Sequence, residues 1–283
     1  MTMRLIHRMK LLMALVQELG GNVAASDLCA YLFLLCHEYM DNNHYYDFIP
    51  QTAGPFSLQA EADKKVLMNK TCLEKADDWV AKGSNERFAS SLDFFEKMAV
   101  QDLKNNWQGK TTEKLHSHIK SHYPKYFIAT SSGNDLELAF FTIGYEGLSL
   151  ESYLNKLLDS NVRLLCDIRK NAFSQKYGFS KSELSDALGK VGISYQHIPS
   201  LGIVSEKRQQ LNTDQDYKQL FDEYEQETLI NQQASLDKLV ELLHQYKRIA
   251  ITCFEADVYH CHRSRVAKSL SNQEGFPCKI RHL

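Results

Sequence analysis

Three absences narrow the function of this 283-residue chain. No stretch of about 18 or more uncharged apolar residues occurs, so the sequence offers no membrane-spanning helix. No charge of one sign dominates. The net charge of −2 leaves no global field that would draw the molecule to nucleic acid or an anionic surface, and any such contact must use a local patch. A disulfide framework is missing too, because the seven cysteines (29, 36, 72, 166, 253, 261 and 278) are odd in number and scattered. Cys29 and Cys36 fall in an apolar helical run, where a free cysteine behaves as a small core residue. Such usage suits a reducing, cytoplasmic setting. Residues 1–19 are apolar at intervals but carry Arg4, His7, Arg8, Lys10 and Glu18, so no secretory signal is expected there. Internal repeats and low-complexity tracts are lacking as well.

What remains is globular in composition, 43% hydrophobic and 24% charged. The length accommodates two domains of ordinary size. The first part reads as helical. Apolar residues recur at helical spacing over residues 9–19 and stop at Gly20 and Gly21. Ser26 or Asp27 can cap a second helix over 28–40, with Leu28, Tyr31, Leu32, Leu35 and Tyr39 as its stripe. Pro55 suits the first turn of a third helix reaching residue 68. Thr71, Cys72 and Leu73, then Trp79, Val80 and Ala81, read as two short strands of a hairpin. Three helices followed by a hairpin is the order of a winged helix; a plain helical domain with a loop fits equally. Residues 84–122 are polar and partly helical, with Phe88, Leu92, Phe95 and Met98 expected on one side. These observations set a mainly helical domain over 1–122. Pro124 and the run Ser131, Ser132, Gly133, Asn134 mark a linker over 123–137.

From residue 138 onward strands alternate with helices. Strands are expected at 138–143, 163–168, 194–198 and 249–254, with an edge strand at 279–283. Helices are expected at 150–158, 180–191, 215–246 and 264–270. Ser180 with Glu183 has the spacing of a capping box. This alternation predicts an α/β domain over 138–283, a three-layer sandwich with a mostly parallel sheet.

Each expected strand ends in chemistry-bearing residues. Gly144, Tyr145, Glu146 and Gly147 follow the first, and Asp167, Arg169, Phe173 and Ser174 the second. His197 closes the third. Cys253 and Glu255 close the fourth, and Cys261, His262 and Arg263 open the next helix. In a parallel sheet all of these share one rim, where ligands of α/β proteins bind. A helix start there offers free N–H groups to an anion.

Several chemistries fit this set. Cys253, Cys261, His262 and His260 can ligate zinc, but the Cys-x7-Cys-His spacing departs from the usual short-loop pairs, and no metal is expected on that ground. Cys261 at a helix start beside Arg263 resembles a nucleophile site. A cysteine phosphatase needs arginine six residues later, and that position is Ala267, which disfavours phosphatase and rhodanese chemistry. Glu146, Asp167 and Glu255 can act as general acids or bases with His197 or His262. Arg169, Arg263 and Arg265 can hold phosphate or carboxylate. The competing structural reading is a salt-bridge network of Asp167, Arg169 and Arg263 that fixes the loops. Gly144 and Gly147 alone do not make a nucleotide loop.

Together these residues resemble the "domain of unknown function 488" family. The motifs are Phe141 to Gly147, Cys166–Asp167–Ile168–Arg169, Phe173–Ser174 with Gly178 to Lys181, and Tyr195, His197, Pro199, Leu201 and Gly202. Cys253–Phe254–Glu255 with Cys261–His262–Arg263 completes them. The resemblance covers residues 138–283. Ala172 stands where the family often has proline, and Ile203 where a second glycine is usual. The resemblance implies a compact α/β sandwich and supplies no reaction or cofactor. The N-terminal residues Ser26, Asp27 and Leu28 with Leu32, Phe33, Leu34 and Leu35, and Gly54 to Ser57, resemble a winged-helix-like segment of toxin–antitoxin and phage-related bacterial proteins.

Two functions are therefore expected. In the first, the rim binds or processes a phosphate-bearing ligand, a nucleotide or nucleic acid. Gly144, Tyr145, Ser174, Cys253, Cys261, Arg169 and Arg263 would bind it, and Glu146, Asp167, Glu255, His197 and His262 would be the catalytic candidates. In the second, the protein is a non-enzymatic regulator whose N-terminal half binds DNA or protein, with Lys64, Lys65, Lys70 and Lys75 as its basic residues.

Overall fold

The computed structural model describes residues 5–40, 45–83, 87–128, 137–204, 207 and 213–283. The chain divides into two compact units, Met1–Thr130 and Ser131–Leu283. Of the expected linker over 123–137, residues 129–136 lie outside the described residues. So do residues 41–44, 84–86 of the polar stretch, 205–206 and 208–212.

In the first unit, α1 (His7–Glu18) buries Leu11, Leu12 and Leu15 and stops at Gly20 and Gly21, both at positive φ. β1 (Asn22–Val23) leads into α2 (Ala25–Leu34), which continues as a π-helical turn, Leu35–Tyr39. α2 starts from Ala24, which has no capping side chain; Ser26 and Asp27 lie inside its first turn, and Asp78 Oδ1 accepts the Ala25 N–H at 3.1 Å. β2 (Ile49–Gln51) and β3 (Gly54–Phe56) form a hairpin, so Pro55 sits in a strand and not in a helix start. The cap of α3 (Leu58–Asn69) is Ser57, whose hydroxyl accepts the Ala60 N–H at 3.2 Å. β4 (Trp79–Val80) pairs antiparallel with β1, and of the expected 71–81 hairpin a single bridge, Leu73 to Ala81, is formed.

α4 (Phe94–Trp107) begins with a capping box of Asp93 and Glu96, and α5 (Thr112–His122) with Thr111. The expected stripe across 88–98 splits, because Phe88 belongs to a separate 3-10 turn, Phe88–Ser91, and the helical phase restarts at Phe94. Phe88 and Leu92 are buried, while Phe95 is 78% exposed and α4 buries Ala99, Val100, Leu103 and Trp107 instead.

The second unit follows the expected alternation. Its strands are β5 (Ala139–Gly144), β6 (Leu164–Asp167), β7 (Ser194–His197), β8 (Arg248–Cys253) and β9 (Ile280–His282). Its helices are α6 (Leu150–Asp159), α7 (Lys181–Lys190), α8 (Asp214–Glu223), α9 (Gln233–Tyr246) and α10 (Arg263–Ser271). The helix expected over 215–246 is thus two, separated by a π-helical turn, Tyr224–Thr228, and a 3-10 turn, Leu229–Asn231. The five strands form one sheet in the order β7-β6-β8-β5-β9, with every pairing parallel. Every residue of β5 and β6 is buried, as expected for strands covered on both faces.

α8, α9 and α10 pack on one face through Phe221, Leu239, Leu243, Val266 and Leu270 against Phe140, Leu164, Ile249 and Ile251. α6 covers the other face, where the Tyr153 hydroxyl donates to Thr252 Oγ1 at 2.8 Å. β5 and β8 are neighbours, yet the helices that follow them lie on opposite faces. The chain therefore diverges above their C-terminal ends and leaves a crevice there. Among the described residues no helix is long and apolar enough to cross a membrane.

Candidate functional site

Strand pairing sets the rim. Gly144 pairs with Cys253, and Asp167 with both Thr252 and His197, so four strand ends finish level. The loops after β5 and β8 are then joined: the N–H groups of Tyr145 and Glu146 both donate to the Phe254 carbonyl, at 3.1 and 2.9 Å. The Glu146 carboxylate accepts from the Ala256 N–H at 3.0 Å. Only glycine fits at 144, because a Cβ there would lie 1.8 Å from the Glu255 carbonyl oxygen.

Of the three arginines expected to hold an anion, Arg265 pairs with Glu225 at 3.2 Å, and Arg169 and Arg263 are turned inward. Arg263 is buried, and its guanidinium donates to the Glu255 carbonyl and, at 2.8 Å, to the Ala256 carbonyl. Arg169 gives its Nε to the Asp167 carboxylate at 2.9 and 3.1 Å and its Nη1 to Tyr145 Oη at 2.8 Å and the Phe179 carbonyl at 2.9 Å. Burial alone would lower the Arg169 pKa, but the bonds and charge of Asp167 outweigh it and hold the guanidinium firmly charged. Asp167 is wholly buried, and it also accepts from the Arg169 N–H at 3.0 Å and the Tyr195 hydroxyl at 2.8 Å. Burial, followed by the Asp167 charge, raises the Tyr195 pKa. Asp167 and Arg169 thus form a polar pair beneath the rim, two of the three members of the competing structural reading, while the third, Arg263, meets loop carbonyls.

His197 also faces a protein partner, its Nε2 standing 2.8 Å from the Arg169 carbonyl. Ser174 spends its Oγ on the Lys176 N–H at 3.1 Å, and its own N–H donates to Ser180 Oγ at 3.2 Å. Ser180 Oγ donates in turn to the Ser174 carbonyl at 3.0 Å, so no Ser180 side-chain cap forms on α7. The serine ties the 174–180 loop to itself. His260 lies apart from Cys253 and Cys261: its ring nitrogens stand 2.8 Å from Asp257 and 3.1 Å from Asp214.

Above this core lies a cavity of about 270 Å³, lined by Tyr145, Arg169, Lys170, Asn171, Phe173, Ser174, Ile203, Cys253, Phe254 and His262. Larger cavities, of about 520 and 350 Å³, run along α10 and gather none of these strand-end residues. Two aromatic rings at the 270 Å³ cavity are open to solvent, Phe173 at 69% and Phe254 at 41%. Lys170 and Asn171 are exposed beside them. Tyr145 forms an inner wall, stacked on Phe179 with ring centroids 4.3 Å apart. Lys170 and Asn171 escaped the sequence reading, although they directly follow Arg169 in a strand-end loop. Their position relative to β6 was the available signal.

Beneath the cavity, Cys253, Glu255, Cys261 and His262 converge, with their side-chain ligand atoms all within 4.8 Å of one another. Cys253 Sγ lies 3.0 Å from Glu255 Oε2 and 3.4 Å from His262 Nδ1. Burial, with Cys253 and Glu255 close by, raises the Cys261 thiol well above its ordinary pKa.

Residues 149–270 match the family model described as Domain of unknown function DUF488, so the C-terminal half carries that domain. No curated protein and no solved structure matches the chain.

Proposed function

We propose that the C-terminal domain binds a nucleotide or an unpaired nucleotide of a nucleic acid in the 270 Å³ strand-end cavity. The observation that carries this reading is the pair of solvent-open rings, Phe173 and Phe254, on a cavity that also presents Lys170 and Asn171. An exposed phenyl ring offers a face on which a base stacks, and a lysine nearby supplies the charge a phosphate needs. The volume sits just below the range of about 300–1,000 Å³ common for small-molecule sites, which suits one nucleoside and not a dinucleotide. Arg169 and Arg263 serve this reading by holding the loops, and the phosphate contact passes to Lys170.

Titration calorimetry of the full chain with nucleoside monophosphates tests it. Phe254→Ala and Phe173→Ala should each weaken binding by about 1–3 kcal/mol. Lys170→Gln should weaken it and flatten its salt dependence. Nucleotide binding that is absent, or indifferent to all three substitutions, rejects the proposal.

A second reading concerns the first unit, as a DNA-binding module of a regulator. In its favour, β1, between α1 and α2, pairs with β4 beyond α3, as a winged helix requires, and Lys65 and Lys75 are exposed. Lys64 leaves the set of basic contacts, since it is buried and its Nζ donates to the Asp77 carbonyl.

A further inference from the structure

We propose that Cys253, Cys261, His262 and Glu255 form a binding site for a thiophilic divalent ion of the zinc class. Spacing along the chain argued against a metal because seven residues separate the cysteines. The fold removes that objection. Cys253 is the last residue of β8 and His262 immediately precedes α10, so the loop between them returns its far end to its start. His260, the ligand suggested by sequence, points to Asp257 and Asp214, and Glu255 takes its place.

Geometry supports the ion in three respects. A tetrahedral zinc with Zn–S near 2.3 Å and Zn–N near 2.0–2.1 Å sets its ligand atoms about 3.3–3.8 Å apart. The 3.4 Å from Cys253 Sγ to His262 Nδ1 falls in that range and the 3.0 Å from Sγ to Glu255 Oε2 lies just short of it, and all four ligand atoms lie within 4.8 Å of one another. The imidazole is also oriented as a ligand. Its Nε2 stands 3.3 Å from the Ile168 carbonyl, and a nitrogen facing a carbonyl carries the proton. That assigns the neutral ring its lone pair on Nδ1, the nitrogen facing Cys253, and a backbone carbonyl behind a metal-binding histidine is the usual second contact. Finally, the charges balance. Two thiolates, one carboxylate and a neutral imidazole around a divalent ion sum to −1, and Arg263, buried at the start of α10, acts on Cys261 with the opposite charge. Arg263 also grips the Glu255 and Ala256 carbonyls, which fixes the backbone of the fourth ligand.

Cys253, Cys261 and His262 are buried and Glu255 is partly exposed, which makes the carboxylate the exchangeable ligand. Cys253 and His262 line the strand-end cavity, so the ion would sit at its floor and polarise a water or a ligand oxygen there. Ion binding by itself does not depend on what the cavity accepts.

The test uses the full chain, purified under reducing conditions, stripped of metal and titrated with cobalt(II) and then zinc(II) alone. Expected are about one ion per chain, the visible bands of tetrahedral cobalt with thiolate charge transfer, and their displacement by zinc. Cys253→Ser and Cys261→Ser should each lose thiolate charge transfer and at least about tenfold in affinity. Glu255→Gln, at a partly exposed position, should weaken binding in a chain whose circular dichroism is unchanged, which guards against a variant that fails to fold. Cys278→Ser should change nothing. The proposal is overturned if the reduced chain binds no cobalt, if the bands survive both cysteine substitutions, or if the two cysteines form a disulfide in air and the reduced chain retains no ion.

Discussion

The guanidinium of Arg263 donates to the carbonyls of Glu255 and Ala256 from a position only 2% exposed, and its Nε has no hydrogen-bond partner among the described residues. A side chain so placed stabilises a loop before it can recognise a ligand. Arg263→Ala would strip two carbonyls of their donor and open a cavity at the start of α10. The expected loss is roughly 2–5 kcal/mol, since both an unpaired acceptor and a buried void carry a cost. Arg263→Lys should recover little of it, because an ammonium lacks the fork that reaches two oxygens at once. Chemical denaturation reads both, and an unchanged midpoint for Arg263→Ala would return this residue to the ligand-binding set. The sequence displays the charge of Arg263 and Arg169, which fits both anion clamps and a salt-bridge network with Asp167. The fold shows that Asp167 engages Arg169, whereas Arg263 is taken up by loop carbonyls, which no side-chain pattern announces.

Between elements, His260 ties the β8–α10 loop to the start of α8 through Asp257 and Asp214. Its pKa is raised by hydrogen bonds to Asp214 and Asp257, and that of Asp257 is lowered, first by the Tyr259 N–H and also by His260. The sign follows from the charged form being favoured in the folded chain. The tie is complete below the ordinary histidine pKa of about 6.5 and is lost as pH rises through the raised value. Proton NMR of the ring should place His260 above an unfolded reference, and Asp214→Asn should bring it down; titration at or below the reference sinks the idea. At this same scale the strands were the most legible part of the chain. β5, β6 and β8 are covered on both faces, so each is a short apolar run that ends in polar residues. The β2–β3 hairpin was invisible because Pro50 and Gly54 read as loop residues and Pro55 as the first turn of a helix, while all three serve as strand residues. The four-residue sulfur–imidazole–carboxylate group was half legible. Cys253, Cys261 and His262 announce themselves by type, whereas Glu255 joins them only because the loop folds back.

Taken whole, each compact unit has a buried apolar cluster of its own among the described residues. That of the first unit includes Leu12, Phe33, Trp79, Leu103 and Ile119; one in the second includes Phe140, Phe221, Leu243 and Ile251. Separate cores predict separable functions, because substitutions that share no partners act additively. The overall charge of −2 means that DNA binding by the first unit would rest on a few lysines and would be weak. If Lys65, Lys70 and Lys75 each meet one phosphate, affinity should fall about 40-fold between roughly 50 and 200 mM salt. Lys65→Gln with Lys75→Gln should flatten that slope by two of its three steps. Phe254→Ala, in the other unit, should leave the slope untouched while weakening nucleotide binding. Fluorescence anisotropy of a short duplex against salt measures all of these. A chain that binds no duplex even at low salt removes the regulator reading and leaves the strand-end cavity as the functional centre, whereas a slope that Phe254→Ala alters would show that the two units act on one nucleic acid together.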